Sequence, residues 1–396
     1  MGGGDPVSEA PFPSGSGPLG DLLRDLARLL TAQGPLNWEV ARQLAAWSAT
    51  EGEPEANPEP LARMKTEELL RIADMHVAEA TGLPTSRRGW FTLRAVSRAE
   101  WAAVMLTAWR DLLSQVATSL SGGQAGPSQG TEGNPMDQLL GNLPQVVGPL
   151  VFGAQAGTMV GQLARRAMGQ YDVPMPAPGG DELLSVPAVV DEFSTEWGLA
   201  PDDARMYLCL RDVAYHSVLS RPHVSAYWNE RLMAYAGGFR AEMDAIEQRL
   251  VGLDPTDPSS FQDALGDPEA LLGEMQTDEQ RKLLVPLRAF LSVLCGYTDF
   301  VIDKVGRRLV GSYALVAEAF RRRRLEATSG ERVLAKLLGV EVDQSTVDRG
   351  HAFISGVLER APEPVLARLW ESRETLPTPP EVDAPGLWLA RLELLP

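Results

Sequence analysis

Three glycines at intervals of four, Gly153, Gly157 and Gly161, interrupt an otherwise apolar segment, residues 136–169. Residues four apart on a helix lie one turn above one another, so this spacing lays a strip without side chains along one face. The strip's use is to let a second helix backbone approach closely. A chain built around it is therefore expected to pack helix on helix. A membrane bundle is the other setting for such a strip. However, Gln155, Gln162, Arg165 and Arg166 break the surface, and no uninterrupted apolar run reaches the roughly twenty residues of a span, residues 143–164 coming nearest. No membrane partner is expected.

The rest of the chain supports a mainly α fold. Helical periodicity recurs over residues 21–30, 37–47, 61–81, 97–119, 191–197, 202–219, 225–237, 278–306, 312–326, 329–338, 343–361 and 364–374. Asn37 and Thr277 have the chemistry of N-caps, as do Asp254, Asp257 and Asp267; the run around Asp254 lacks the ligand spacing of a calcium loop. Trp38 and Trp47 read as packing anchors of the first strongly periodic helix. Residues 170–190 change pattern, with prolines and a Gly-Gly turn between short apolar pieces, which predicts a small β-hairpin. Residues 1–20 are rich in Gly, Pro and Ser without a signal-peptide pattern and read as a disordered leader. Residues 121–135 read as a flexible linker between a helical N-terminal region (21–120) and a larger helical domain (136–396).

Charge narrows the partners. The 36 basic and 53 acidic residues leave a net charge of −17, which repels phosphate backbones, so nucleic acid is not expected. The one basic run, Arg321 to Arg324, is short and reads as a solvated helix end with ion pairs. Cys209 and Cys295 both lie in apolar runs and read as buried reduced thiols, which points to the cytoplasm.

The stretch with chemical content is MYLCLRDVAYHSVL, residues 206–219. A helix there puts positions 211 and 215 one turn apart on one face. With His at both and Glu after the first, this frame binds Zn²⁺ and activates its water. Here the three positions are Arg211, Asp212 and Tyr215. Arginine stays protonated and adds positive charge where a dication would sit. Sliding the frame by one pairs Asp212 with His216, which Cys295 could join as a thiolate, but Val213 then stands at the base position.

Longer segments carry a resemblance: GPLNWEVARQLA from Gly34, EATGLP from Glu79, GQLARRAMGQYDVPMP from Gly161, the central stretch, LDPTDP with LGDPEALLGEM, and LWESRETLPTPPEVDAPGLWLARLEL. With these the chain resembles the bacterial zincin-like family described as zinc-dependent metalloproteases or hydrolases, some of them linked to deazaflavin coenzyme biosynthesis. The resemblance implies a multi-helical zincin-like fold with the hairpin near a cleft. It places the family's first His at Arg211, its Glu at Asp212 and its second His at Tyr215. A related branch has Arg-Glu-x-x-His there, and a later family Glu falls at Cys295. The implied protein is a degenerate member with no catalytic residues and no cofactor, in which Arg211 pairs with Asp212 or Asp299 and the ancestral cleft takes a peptide or protein. The alternative is an active metal-dependent hydrolase holding zinc on Asp212, His216 and Cys295.

Overall fold

The computed structural model describes residues 34–121, 135–177, 179–239 and 277–395. Its first part runs through α1 (Trp38–Thr50), α2 (Pro60–Thr81), β1 (Thr92–Ala95), α3 (Arg98–Ala108), α4 (Arg110–Ser121), α5 (Pro135–Ala164) and β2 (Glu182–Ser185). Then follow α6 (Pro187–Glu196), α7 (Pro201–Leu219), α8 (Pro222–Ala236), α9 (Asp278–Leu309), α10 (Tyr313–Leu325), α11 (Ser329–Leu338) and α12 (Gln344–Leu358). A 3-10 helix (Glu363–Trp370) and two short helices, α13 (Pro379–Asp383) and α14 (Pro385–Leu394), end the chain. The mainly α expectation holds. The leader, the helix expected at 21–30, most of the linker and the caps at Asp254, Asp257 and Asp267 lie outside the described residues.

The glycine strip of α5 packs on α1. A methyl group added at Gly153, Gly157 or Gly161 would come closer than 3.0 Å to the backbone oxygen of Asn37, Ala41 or Ala45, respectively. α1 meets the strip with its own small face, Ala41, Ala45, Ser48 and Ala49, all buried. The two backbones thus lie in direct contact, and each helical glycine, which costs about 1 kcal/mol against alanine on its own, is offset by the packing it permits. This close approach overturns one expectation. Trp38 packs half-buried beneath Arg110, but Trp47 is 61% exposed, because the bulky indole cannot share the face that the strip requires to be small. Asn37 caps α1 as expected, accepting from the backbone N–H groups of Glu39 and Val40 at 3.1 Å each.

The expected hairpin does not form. β2 pairs in parallel with β1, Thr92 opposite Glu182 through Ala95 opposite Ser185, and residues 170–177 stay irregular. The alternation that marks a strand does not name its partner. Here the partner comes from ninety residues earlier, while Pro174 and Pro176 prevent the intervening segment from pairing as a first strand.

One buried cluster includes residues from α1 through α14. At its centre is α9, which starts from a Thr277–Gln280 capping box and runs unbroken through Pro286. It is the described helix long and apolar enough to cross a membrane, yet 72% of its apolar window is buried within the protein, as in a core helix. A second glycine contact joins it to α12: a Cβ at Gly350 or Gly296 would overlap the backbone of the other helix. At the end of the chain, Trp388 is fully buried and donates its indole N–H to the Thr375 carbonyl at 2.8 Å, docking α14 as expected.

Candidate functional site

α7 is buried along nearly its whole length, and its residues Tyr207, Arg211 and Tyr215, each four apart, face a cavity of about 790 Å³. Residues of α9, α10, α11 and α12 form much of its lining. Further lining comes from Trp101, Leu163, residues 166–167 and 340–343, and the segment 171–174 that leads towards β2. That segment has no regular structure to fix it, and three indoles do so instead. Trp101 donates to the Gly169 carbonyl at 2.8 Å, Trp228 to Pro174 at 3.0 Å and Trp109 to Pro176 at 2.9 Å. Each indole is fully buried, so the backbone it holds is anchored to the core.

The anchored segment delivers Asp172 to Arg211. The guanidinium donates to Asp172 Oδ1 at 2.8 Å and, through Nε and Nη2, to Asp212 Oδ1 at 3.1 and 3.0 Å. Both carboxylates are held from behind as well. Asp172 Oδ2 accepts the backbone N–H groups of Met168 and Gly169 at 2.6 and 2.7 Å, and Asp212 Oδ2 accepts that of Gln170 at 2.9 Å. Gly169 has to be glycine for this, since a Cβ would overlap Asp212 Oδ2.

One guanidinium between two buried carboxylates compensates only one of them fully. Burial works against the charge on Asp172, but Arg211, Arg323 and the Gly169 N–H outweigh it and hold that carboxyl below its ordinary value. Burial wins at Asp212, pushed up to about 6 against the pull of Arg211. Arg211 itself is driven further towards the charged form by the two aspartates, against its own burial.

Of the other expected residues, Tyr215 and Cys295 meet each other, while His216 and Asp299 are held elsewhere. Tyr215 OH lies 3.6 Å from Cys295 Sγ, whose thiol burial pushes up to about 11, which disfavours a thiolate ligand. His216 faces the opposite side of α7: Nδ1 meets Tyr171 OH at 2.9 Å and Nε2 meets Asp181 Oδ1 at 3.4 Å. Burial keeps this imidazole below its ordinary value despite Asp181, so it is neutral at pH 7, accepting from the tyrosine and donating to the aspartate. Asp299, the other carboxylate expected near Arg211, is instead bound by both Nη atoms of Arg324 at 2.9 Å and by His351 at 3.1 Å. The alternative metal set of Asp212, His216 and Cys295 is therefore not assembled. Among the described residues no three His, Cys, Asp or Glu side chains gather into a group that could hold a metal. A zinc ion does not fit at the motif positions, because a hydrogen-bonded guanidinium occupies them.

The residues that complete the site were not marked by sequence reasoning. Asp172, Tyr171 and Asp181 belong to the segment read as a hairpin, where nothing local shows that 172 faces 211. The basic run was only half legible. Arg321 and Arg322 are exposed and bind Glu318, as a solvated helix end should, with Arg321 also reaching the cavity lining, whereas Arg323 and Arg324 are set deeper and line the cavity. The available signal was helical spacing: Val316, Ala319 and Phe320 are the buried face of α10, and 323 and 324 continue it.

Comparison with known proteins places this architecture. A family model described as zincin-like metallopeptidase matches residues 36–389. No curated protein matches the chain. Among solved structures, one from Chloroflexus aurantiacus, described as "a putative hydrolase with a novel fold", superposes with a TM-score of 0.62 at 21% identity, covering 91% of this chain and 100% of that one.

Proposed function

This chain belongs to the zincin-like metallopeptidase family, and from that membership we propose that it is a catalytically degenerate member whose cleft is retained for binding a peptide or protein segment. The observation that carries the reading is the position of Arg211. It sits on the cavity face of α7 where the family's first histidine is expected, fixed by three hydrogen bonds to two aspartates. A guanidinium so held cannot act as a metal ligand, and its charge opposes the arrival of a dication. Asp212, at the general-base position, has both oxygens engaged, Oδ1 by Arg211 and Oδ2 by the Gln170 N–H. Tyr215 offers a neutral phenol, since burial drives its ionisation well above the ordinary value.

The cavity itself is intact. Its volume suits several residues of an extended ligand, and its lining mixes aromatic walls with charged groups. The test is elemental analysis of the purified protein together with a peptidase assay in the presence and absence of a chelator. The expected result is no stoichiometric zinc and no chelator-sensitive cleavage. Stoichiometric zinc accompanied by cleavage that a chelator stops would overturn the reading.

A further inference from the structure

Among the described residues, the guanidinium of Arg323 lines the cleft without a hydrogen-bonded counter-charge. Most arginines lining the cavity are accounted for: Arg211 by Asp172 and Asp212, Arg324 by Asp299, Arg321 by Glu318, Arg307 by Asp303 and Arg166 by Glu331. Arg323 differs. Among the described residues its guanidinium has no hydrogen-bond acceptor; it lies over the Phe193 ring, 5.2 Å from the centroid, at the lining of the cavity. Its electrostatic neighbours are Arg166 and Arg211, which repel it, and Asp172 and Glu331, which attract it from beyond bonding distance. Burial, helped by the two arginines, pulls its pKa down to about 10, so it is still charged at neutral pH.

No nitrogen of this guanidinium is both shut off from solvent and unbonded, so its donors stay open to the cavity, where either water or a ligand has to meet them. The geometry also limits what that ligand is. A guanidinium presents two parallel N–H groups that match the two oxygens of a carboxylate. The surrounding charge limits the ligand to the smallest negative charge that can meet a guanidinium, because Arg166, Arg211 and Arg323 are already matched in number by Asp172, Asp212 and Glu331. A second negative charge on the ligand would be set against Asp172 and Glu331 with no cation left to meet it. Phe320, Tyr313 and Ile302, on the same cavity, offer apolar surface to the remainder of the ligand.

We propose that Arg323 receives the carboxylate of a ligand in the cleft, and that the ligand is a peptide presenting its free C-terminus. The proposal rests on the cleft being a binding site, and it adds the group that is recognised and the residue that recognises it.

Isothermal titration of the full chain with the tripeptide N-acetyl-Ala-Ala-Phe, its C-terminal amide and inorganic phosphate tests it. The acid should bind at least tenfold more tightly than the amide, and the preference should disappear in Arg323→Gln and survive in part in Arg323→Lys. Arg323 makes no side-chain hydrogen bond or ion pair, and its part in keeping Asp172 ionised is shared with Arg211, so Arg323→Gln should fold and melt only slightly below the parent. If it does not fold, the acid-to-amide ratio and the Arg323→Lys variant still decide the matter. Equal affinity for acid and amide, no binding of the acid, or an undiminished preference in Arg323→Gln would each overturn the proposal. So would phosphate binding as tightly as the acid. Equal affinity leaves the binding cleft standing and removes only the carboxylate, whereas stoichiometric zinc with chelator-sensitive cleavage removes the underlying reading whichever peptide binds.

Discussion

The α1–α5 seam and the cleft on α7 are both places where the backbone or a charge is brought unusually close to something else, and they do it by opposite means. At the seam, Gly153, Gly157 and Gly161 remove side chains so that two helices touch backbone to backbone, with Ala41 and Ala45 opposite. Polar contact across it is sparse: Ser48 Oγ donates to the Thr158 carbonyl at 3.3 Å and the Asn37 N–H to the Pro149 carbonyl at 2.8 Å. In the cleft, contact is made by charge: Arg211, Asp172 and Asp212 are all strongly buried and hold one another. Shape complementarity of the first kind is specified by one repeating pattern. Polar complementarity of the second requires every member to be present, and fails badly when one is not.

The difference can be broken most forcefully at Arg211. Arg211→Met keeps the length of the side chain but leaves Asp172 and Asp212 as buried carboxylates with only backbone donors. The expected loss is about 3–5 kcal/mol in urea denaturation, most of it returned by adding Asp172→Asn and Asp212→Asn. A loss under about 1 kcal/mol, the range of a solvent-screened pair, would mean that the cleft cluster is no fixed unit. The corresponding attack on the seam is Gly157→Val, whose side chain has to be placed against the Ala41 carbonyl. Separating the helices should cost about 1–3 kcal/mol, read in the same experiment. No single replacement at Ala41 should restore it, because the obstruction is backbone.

The cleft also has a pH signature that the seam lacks. Asp212 is raised in the folded protein to about 6, from an ordinary value of 3.8. Its contribution to stability is therefore fully present below pH 3.8 and is lost as the pH rises through 6. Asp172 is lowered and acts in the opposite sense, its contribution being lost as the pH falls. In Asp212→Asn only the Asp172 behaviour remains. The variant's stability relative to the parent should rise by about 2–3 kcal/mol between pH 4 and 7, since each tenfold change in a carboxyl group's proton affinity on folding is worth about 1.4 kcal/mol. Parallel curves for the two proteins would show Asp212 ionised throughout.

These contrasts explain how far the sequence could be read. The glycine spacing, the Asn37 and Thr277 caps and the orientation of 211 and 215 on one face follow from helix geometry within a turn or two, and all are found in the fold. The hairpin expectation failed because pairing is not local: β2 finds β1 across residues 96–181, and no pattern within 170–190 distinguishes that partner from a nearer one. Trp47 was misplaced for a related reason. Its spacing is helical, but which face is buried depends on α5, and a glycine strip selects the small residues of its partner over the large ones. The clamp on Arg211 has one half in the motif, Asp212, and the other half thirty-nine residues earlier at Asp172. Only the fold, through Trp101, Trp109 and Trp228, brings the halves together.

The smallest effect sharpens the comparison by asking whether the seam is held by shape alone. Asn37 stands at its end in two capacities. Its backbone N–H donates to the Pro149 carbonyl at 2.8 Å and its own carbonyl lies where a Cβ on Gly153 would be, while its side chain caps α1. Asn37→Ala deletes the cap and leaves the backbone contacts in place. If shape holds the seam, the loss should be that of an ordinary N-cap, about 1 kcal/mol. It should also be additive with Gly157→Val, whose site lies one turn beyond Gly153 and faces Ala41 rather than the cap. A double-mutant cycle on the two positions reads this directly. A coupling well above about 0.5 kcal/mol would show that the cap sets the distance between the helices, and the seam would then depend on a polar network as the cleft does.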